Sequence, residues 1–512
     1  MSFIGRPDGR TDIDPSDIKQ IHQMKAESKK AVGLNEIHKI PESEEKHIWL
    51  QELEPVKIDP PRSWSGVAKS LLTARNNLLA VWPKRSYKAL TFSMSLLNQK
   101  YFLCNSPDTV RRIFLEEHDN YDKKSVFMRN ALEPLLGDGL FVSDGALWKE
   151  RRAHCAPAFE NALLPDFAAV MTECSAELTE QWETLSDGCE VDMLNEMAKL
   201  TAKIIGRTIF GDETTDGEAA QVVSGFTEYQ RNIEHLKISD FTGVQYLRWI
   251  TNPLKKHRSQ QAIAEVHEVI DRIISRQKIQ KKSARFNLIS YLLADSTKQN
   301  EAKCPMDLVA ARNEAIVMFM AGHETTANSL AWTWYLLNHS PRVGAKLRQE
   351  LDSVLGGRHA TLDDVVNLPY TRAVFEESLR LYPPVPVLTR ESREEDVIRK
   401  KQVAKGTIML VVPWLLHRHE LFWESPNQFI PERFLSESRP DKFVYLPFSV
   451  GRRVCLGLRF GLSEGIICLA NLAQRFEASL KPEHEVEIEC RLTLRPKGGL
   501  PMQLKRRKEC QN

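Results

Sequence analysis

The 512-residue chain contains no run of eighteen consecutive apolar residues, so a membrane-spanning helix is not expected. Its start, MSFIGRPDGRTDIDPSD, lacks the basic-then-apolar order of a signal peptide. The nine cysteines include no C-x-x-C pair and are odd in number. That argues against a zinc site or a disulfide framework and for a reducing compartment. Charge of one sign is also lacking, since 70 Lys and Arg against 68 Asp and Glu leave a formal +2. Nucleic-acid binding would need a concentrated basic face, so it is not expected. No internal repeat, low-complexity tract, flavin motif or iron–sulfur motif is visible. The expectation is a soluble, cytoplasmic protein, with any membrane contact peripheral.

Core material is plentiful, because 42% of the residues are hydrophobic. Residues 1–60 are polar and charged, with little apolar period, and read as an N-terminal extension to one large domain spanning 61–512. Leu71, Leu72, Leu78, Leu79 and Trp82 share one face of a helix predicted over 66–82. Packing on the protein body is the ordinary use of such a face, and an interfacial membrane helix is the alternative. Strands are predicted over 89–94 and 100–104, and helices dominate 145–285. A long helix from about Asp307 to His339 is stopped by Ser340-Pro341. A second, 341–355, ends at Gly356-Gly357, and a third, 370–382, is cut off by Pro383-Pro384. Short strands are predicted within 385–412, an irregular but ordered segment over 413–447, a helix over 458–477 and a terminal hairpin over 492–504. The expected fold class is mainly α with a smaller β-rich region.

The segment Phe448-Ser-Val-Gly-Arg-Arg-Val-Cys455-Leu-Gly457 carries the strongest chemical signal. A lone cysteine before a helix is more often a small buried hydrophobe than a metal ligand. Here Gly451 and Gly457 permit a tight path and close approach of a flat ligand. Arg453 can fork onto a carboxylate, and the helix start favours a thiolate. On these grounds alone a structural role and metal ligation both stay open.

The segment resembles the F-x-x-G-x-R-x-C-x-G signature of the cytochrome P450s at Phe448, Gly451, Arg453, Cys455 and Gly457. Members often carry Gly where this chain has Ser449. The resemblance implies haem b with Cys455 as axial ligand, whose electron donation favours O–O cleavage. It also implies that Phe448, Arg453 and Gly457 border the haem.

Ala321-Gly-His-Glu-Thr-Thr326 lies in the long helix, where Gly322 and the threonines predict a local bulge or widened turn. Alone, a glycine packing position would be the ordinary reading. The hexapeptide resembles the family's oxygen-activation segment, which implies that Thr325 hydrogen-bonds the bound oxygen and Glu324 helps to pass protons from water. His323 stands at the variable position and receives no role. Glu377-Ser-Leu-Arg380 would by itself be a surface pair. It resembles the family's E-x-x-R, which implies a buried network with Arg433 of Pro431-Glu-Arg433-Phe434. Trp148 and Arg152 share a helical face at i, i+4. They resemble W-x-x-x-R, which implies contact with haem propionates, and Arg390 is a further candidate for that role.

The motifs run in the family's order over roughly 85–505. The fold implied is one helical domain with haem between the helices of Gly322 and Cys455. The reaction implied is monooxygenation: one atom of O2 enters a hydrophobic organic substrate and the other leaves as water. Phe319, Ala321, Val385, Val387, Leu388 and Leu500 are the expected cavity residues. Electrons would come from a separate ferredoxin, flavodoxin or flavoprotein reductase, docking near Arg452 and Lys149. A soluble, bacterial-type member is the expectation. The rival readings are a haem-thiolate isomerase or dehydratase, a peroxide-driven hydroxylase, and a haem gas sensor. The first two have little use for Glu324-Thr325, and the last would be expected with a fused signalling module.

Overall fold

A computed structural model describes residues 56–58, 77–96, 99–211, 214–232, 253–279, 287–293, 306–436 and 439–507. The expected polar extension, apart from 56–58, where Val56 is bonded to Tyr335 and Tyr382, and most of the 66–82 helix lie outside these residues. Of the latter, Leu78–Val81 forms a single 3-10 turn capped by the Asn77 side chain.

Ten helices of at least eleven residues are present among the described residues. They are α1 Val126–Leu136, α2 Gly145–Cys155, α3 Leu164–Glu183, α4 Met193–Phe210 and α5 Asp216–Asn232. After these come α6 Pro253–Ile279, α7 Leu308–His339, α8 Pro341–Leu355, α9 Pro369–Leu381 and α10 Leu458–Ala473. Their ends follow local chemistry. Asp307 caps α7 by accepting the Ala310 N–H, and Pro341 opens α8 directly behind it. Gly356 closes α8 at φ 56°, a left-handed position that a side chain would strain. The long helix α7 is buried along most of its length, including polar residues such as Asn313, Glu314 and Asn328.

Eleven short strands form four small sheets among the described residues. In the largest, β1 (Thr91–Leu96) pairs antiparallel with β2 (Gln99–Cys104), and β2 runs parallel to β7 (Ile408–Val411). The other edge is β4 (Leu388–Glu391), antiparallel to β7 and carrying Arg390. A mainly helical fold with a smaller β region is therefore observed.

Three expectations are corrected. The helix predicted over 458–477 ends at Ala473, and Phe476–Leu480 is strand β8, paired with β11 (Pro501–Arg506). Long-range pairing overrides the helical pattern that Phe476 continues. The terminal hairpin does not join 492 to 504. Instead β9 (Ile488–Cys490) pairs with β10 (Leu494–Pro496), and β11 also pairs with β3 (Glu190–Asp192). Gly498 and Gly499, at φ 78° and 101°, redirect the chain between them. Lastly, α7 runs through Gly322 as an uninterrupted α-helix. A Cβ there would stand 2.7 Å from Ile205 Cδ1, so the glycine serves close packing against α4.

The Glu377–Arg380–Arg433 network forms as expected. Glu377 and Arg380 are fully buried and meet in a two-toothed ion pair, 2.6 and 2.7 Å. Arg380 sends its remaining N–H groups to the carbonyls of His417, Pro426 and Gln428, so all five guanidinium donors are used. Glu377 also accepts from Ile430 N–H and Arg433 Nε. Glu377→Ala should lower stability by about 3–5 kcal/mol, because it strands buried guanidinium charge. Equilibrium urea unfolding checks this, and a loss below about 1 kcal/mol would reduce the network to the weight of a surface pair.

Candidate active site

Cys455 follows a short 3-10 turn, Gly451–Arg453, and precedes α10, which starts at Leu458. Its N–H donates to the Phe448 carbonyl at 3.0 Å, folding 448–455 into a closed loop. Gly451 makes this path possible: at φ 77°, its missing Cβ would lie 2.1 Å from the Phe114 carbonyl oxygen. Ser449 adopts φ 61° without being glycine, and its buried hydroxyl has no hydrogen-bond partner. On the other side, a Cβ at Gly457 would lie 4.0 Å from the Cys455 sulfur.

Among the described cysteines, Cys455 alone is exposed. Yet burial raises its thiol pKa, opposed by the Gly457 N–H and by the Arg152 charge. A residue both enclosed by protein and open to solvent lines an internal hollow. Ala321, exposed midway along buried α7, has the same character. Leu456, Gly457, Phe448 and Thr325 are partly open. Helices α7 and α10 meet beside them, where the Thr326 hydroxyl draws down the pKa of Glu464. That pKa is nevertheless pushed up to about 8 by burial. Neither Glu464 oxygen closes a hydrogen bond of normal geometry.

A cluster of cations leads away from the sulfur. Arg152 faces Cys455 and lies 5.7 Å from the buried Trp148 ring, while Arg453 stacks on the same ring at 4.3 Å. Arg453 is fully engaged by protein: Nε donates to Asp122, Nη1 to the Ser143 carbonyl and Nη2 to Asp144. The fork read from sequence as free for a cofactor carboxylate is thus held by two aspartates. Arg390 is buried over the Phe114 ring, with one hydrogen bond, to the Thr389 carbonyl. Burial, then Arg453, lowers its pKa to about 10.

Lys124, which no motif singles out, is buried beside Arg390 and Arg453. Its ammonium contacts only the Phe141 ring face, at 4.9 Å, and burial followed by these two cations drives its pKa well down. Cations buried without carboxylates are costly, so the geometry suits a ligand with anionic groups. A flat apolar cofactor with carboxylates on one edge, and a metal reached by one thiolate, fits these residues. Among the described residues, no cluster of three or more His, Cys, Asp or Glu could hold a metal without such a cofactor.

Thr325 Oγ1 donates to the Ala321 carbonyl at 2.6 Å. Glu324 is held by two neutral donors, Gln230 Nε2 at 2.8 Å from α5 and Thr493 Oγ1 at 2.7 Å from the β9–β10 turn. Burial raises its pKa. Neither partner was legible in sequence, since they lie 94 and 169 residues away. His323 is buried against Phe319, and its Nε2 lacks a partner. Of the expected cavity residues, Ala321, Val385, Val387 and Leu388 are accessible. Phe319 and Leu500 are fully buried. Leu500 is bonded into the β3–α4 junction, through Asp192 and Met193, where the revised strand pairing places it.

The fold and site define a mainly helical protein with a solvent-open cysteine at the start of α10 and buried cations in the same region of the fold. Comparison with known proteins agrees. The Cytochrome P450 family model matches residues 60–502, and the chain belongs to that family. It is 32% identical to cyclooctatin synthase of Streptomyces melanosporofaciens over 73% of this chain and 80% of the relative. It is 30% identical to human cytochrome P450 4V2, covering 77% of this chain and 78% of the relative. LUTEIN DEFICIENT 5 of Arabidopsis thaliana is 28% identical, over 76% and 67% of the two chains. The crystal structure of the cytochrome P450DA heme domain matches in fold, with TM-score 0.70 and 23% identity, covering 82% and 90% of the two chains. In general terms the protein is therefore a haem-thiolate monooxygenase. Among the described residues, no helix is long and apolar enough to cross a membrane.

Ser449→Gly should strengthen the loop, because a side chain in the left-handed region costs about 1–2 kcal/mol. Extra freedom of the unfolded chain offsets part of that gain, about 0.4–1 kcal/mol. Haem loss in mild urea should slow in Ser449→Gly and quicken in Ser449→Val, whose branched side chain tolerates this φ least. Equal rates for the two variants would show that the positive φ does not limit loop stability.

Proposed function

We propose that this chain holds haem b through Cys455 and inserts one atom of O2 into a hydrophobic organic substrate, with electrons from a separate ferredoxin, flavodoxin or flavoprotein reductase. The observations that carry the reading are the solvent-open Cys455, with the Arg152 charge acting on it, and the buried Lys124 and Arg390, which make no direct ion pair. When bound, the haem supplies reductive activation of O2 and oxygen-atom transfer.

The protein's own contribution is binding, shape and protons. Arg152, Lys124 and Arg390 offer N–H groups to the propionates. Trp148 and the Asp122–Arg453–Asp144 bridge hold the wall behind them. The Thr325 proton is committed to the Ala321 carbonyl, so its oxygen lone pairs face outward as acceptors for a proton-bearing water. Burial raises the pKa of Glu324, opposed by the hydrogen bonds from Thr493 and Gln230 and by the Arg495 charge. It therefore keeps a proton to higher pH than a surface carboxyl, which suits a proton donor. An intact acid–hydroxyl pair of this kind favours monooxygenation over isomerisation, peroxide-driven chemistry or gas sensing.

The accessible lining of Ala321, Val385, Val387 and Leu388 is apolar, which suits a hydrophobic substrate. Lys149 is exposed and Arg452 half-exposed, and both remain in the reading as partner contacts. Asp119 stands 3.4 Å from Arg452 and weakens its pull on an acidic partner. A cytoplasmic location belongs to the same reading.

The test supplies NADPH, a surrogate reductase and isotopically heavy O2 across a small hydrophobic library. One heavy oxygen atom should appear in the product. Product formed without O2 uptake, or carrying oxygen from water, would contradict the assignment. Thr325→Ala should retain haem while diverting NADPH into hydrogen peroxide. Unchanged coupling in that variant would remove Thr325 from proton handling.

A further inference from the structure

We propose that His417 is the positioning residue of the cysteine loop, its ring carrying a hydrogen-bond relay from the Arg380 carbonyl to the Leu446 N–H. The inference rests on Cys455 being the haem ligand, and it assigns a task to a residue outside every motif.

His417 is fully buried. Its Nδ1 lies 3.2 Å from the Arg380 carbonyl oxygen, and its Nε2 lies 3.0 Å from the Leu446 nitrogen. A carbonyl oxygen can only accept, so Nδ1 carries the ring proton. The Leu446 N–H can only donate, so Nε2 offers its lone pair. Both contacts therefore require the same neutral tautomer. Burial, followed by the Arg380 charge, lowers the ring pKa to about 3, in keeping with that neutral form. The bond is reciprocated through the backbone, where Arg380 Nη1 donates to the His417 carbonyl at 2.8 Å.

Beyond Leu446 the relay continues into the loop. The Leu446 carbonyl accepts the Ser449 N–H at 3.1 Å, closing the turn that places Ser449 at φ 61°. The Phe448 carbonyl accepts the Cys455 N–H at 3.0 Å. Leu446 is 2% exposed, so water does not replace a lost ring acceptor there. Losing Nε2 frees the first residue of the turn on which the sulfur's position depends.

Two amide substitutions separate positioning from packing. In His417→Gln, the amide oxygen sits as many bonds from the backbone as Nε2 and can accept from Leu446. In His417→Asn, the amide reaches only where Nδ1 lies, keeping the Arg380 contact and leaving the Leu446 N–H bare. The reduced, carbon monoxide-bound holoenzyme should lose its thiolate-type band about tenfold faster in fixed urea for Asn, and at nearly the wild-type rate for Gln. Equal behaviour of the two variants, or wild-type behaviour of both, would overturn the proposal. Should the Asn variant fail to fold, nitrogen NMR of the wild-type ring decides: a proton on Nδ1 supports the relay, and one on Nε2 refutes it. If wild type and Cys455→Ala alike show no thiolate-type band, the haem-ligand reading fails, and the NMR result stands apart from it.

Discussion

Arg380 is the point on which helix α9 and the stretch 417–428 converge. A guanidinium with no exposure is tolerable only when its charge is paired and each N–H is accepted. Glu377 supplies the charge, and three carbonyls from 417–428 supply the remaining acceptors. That stretch has little regular secondary structure of its own, so its backbone is organised by what α9 presents to it. Removing one member would strand several others, which is why such a network fixes a conformation more firmly than its net energy suggests.

The site shows the opposite condition. Lys124 and Arg390 are buried near Arg453 without a direct ion pair of their own, and burial followed by the neighbouring cations lowers both pKa values, offset in part by Asp122 and Asp144. In the proposed reading, the propionates supply the missing anions, and haem binding adds stability by mass action. Asp122 and Asp144 instead neutralise Arg453 and fix it against Trp148. Arg453 is thus held in an ion pair with its own carboxylates, whereas Lys124 and Arg390 make none.

Features set by neighbours in the chain were legible in sequence. The stops at Ser340-Pro341 and Gly356 follow from residue types at fixed spacing, whereas the Cys455 loop and the burial of the Glu377–Arg380 pair were read from the family resemblance. Features set by distant neighbours were not. Lys124 acquires meaning only because the fold brings it to Arg390, and Gln230 and Thr493 only because they reach Glu324. Gly322 was misread for the same reason, since its partner Ile205 lies on another helix. Leu500 was assigned to the cavity through a hairpin that long-range strand pairing replaces. Asp122 and Asp144, which hold Arg453, were likewise not legible, since they lie more than 300 residues away.

The central claim is that the Cys455 sulfur is the metal ligand. The most direct measurement is the absorption spectrum of the reduced, carbon monoxide-bound protein for wild type, Cys455→Ala and Cys455→His. Wild type should show the thiolate-type band, Cys455→Ala should lose it, and Cys455→His should show a distinct imidazole-type spectrum. Retention of the wild-type band in both variants would mean that another residue binds the iron, and would contradict the account.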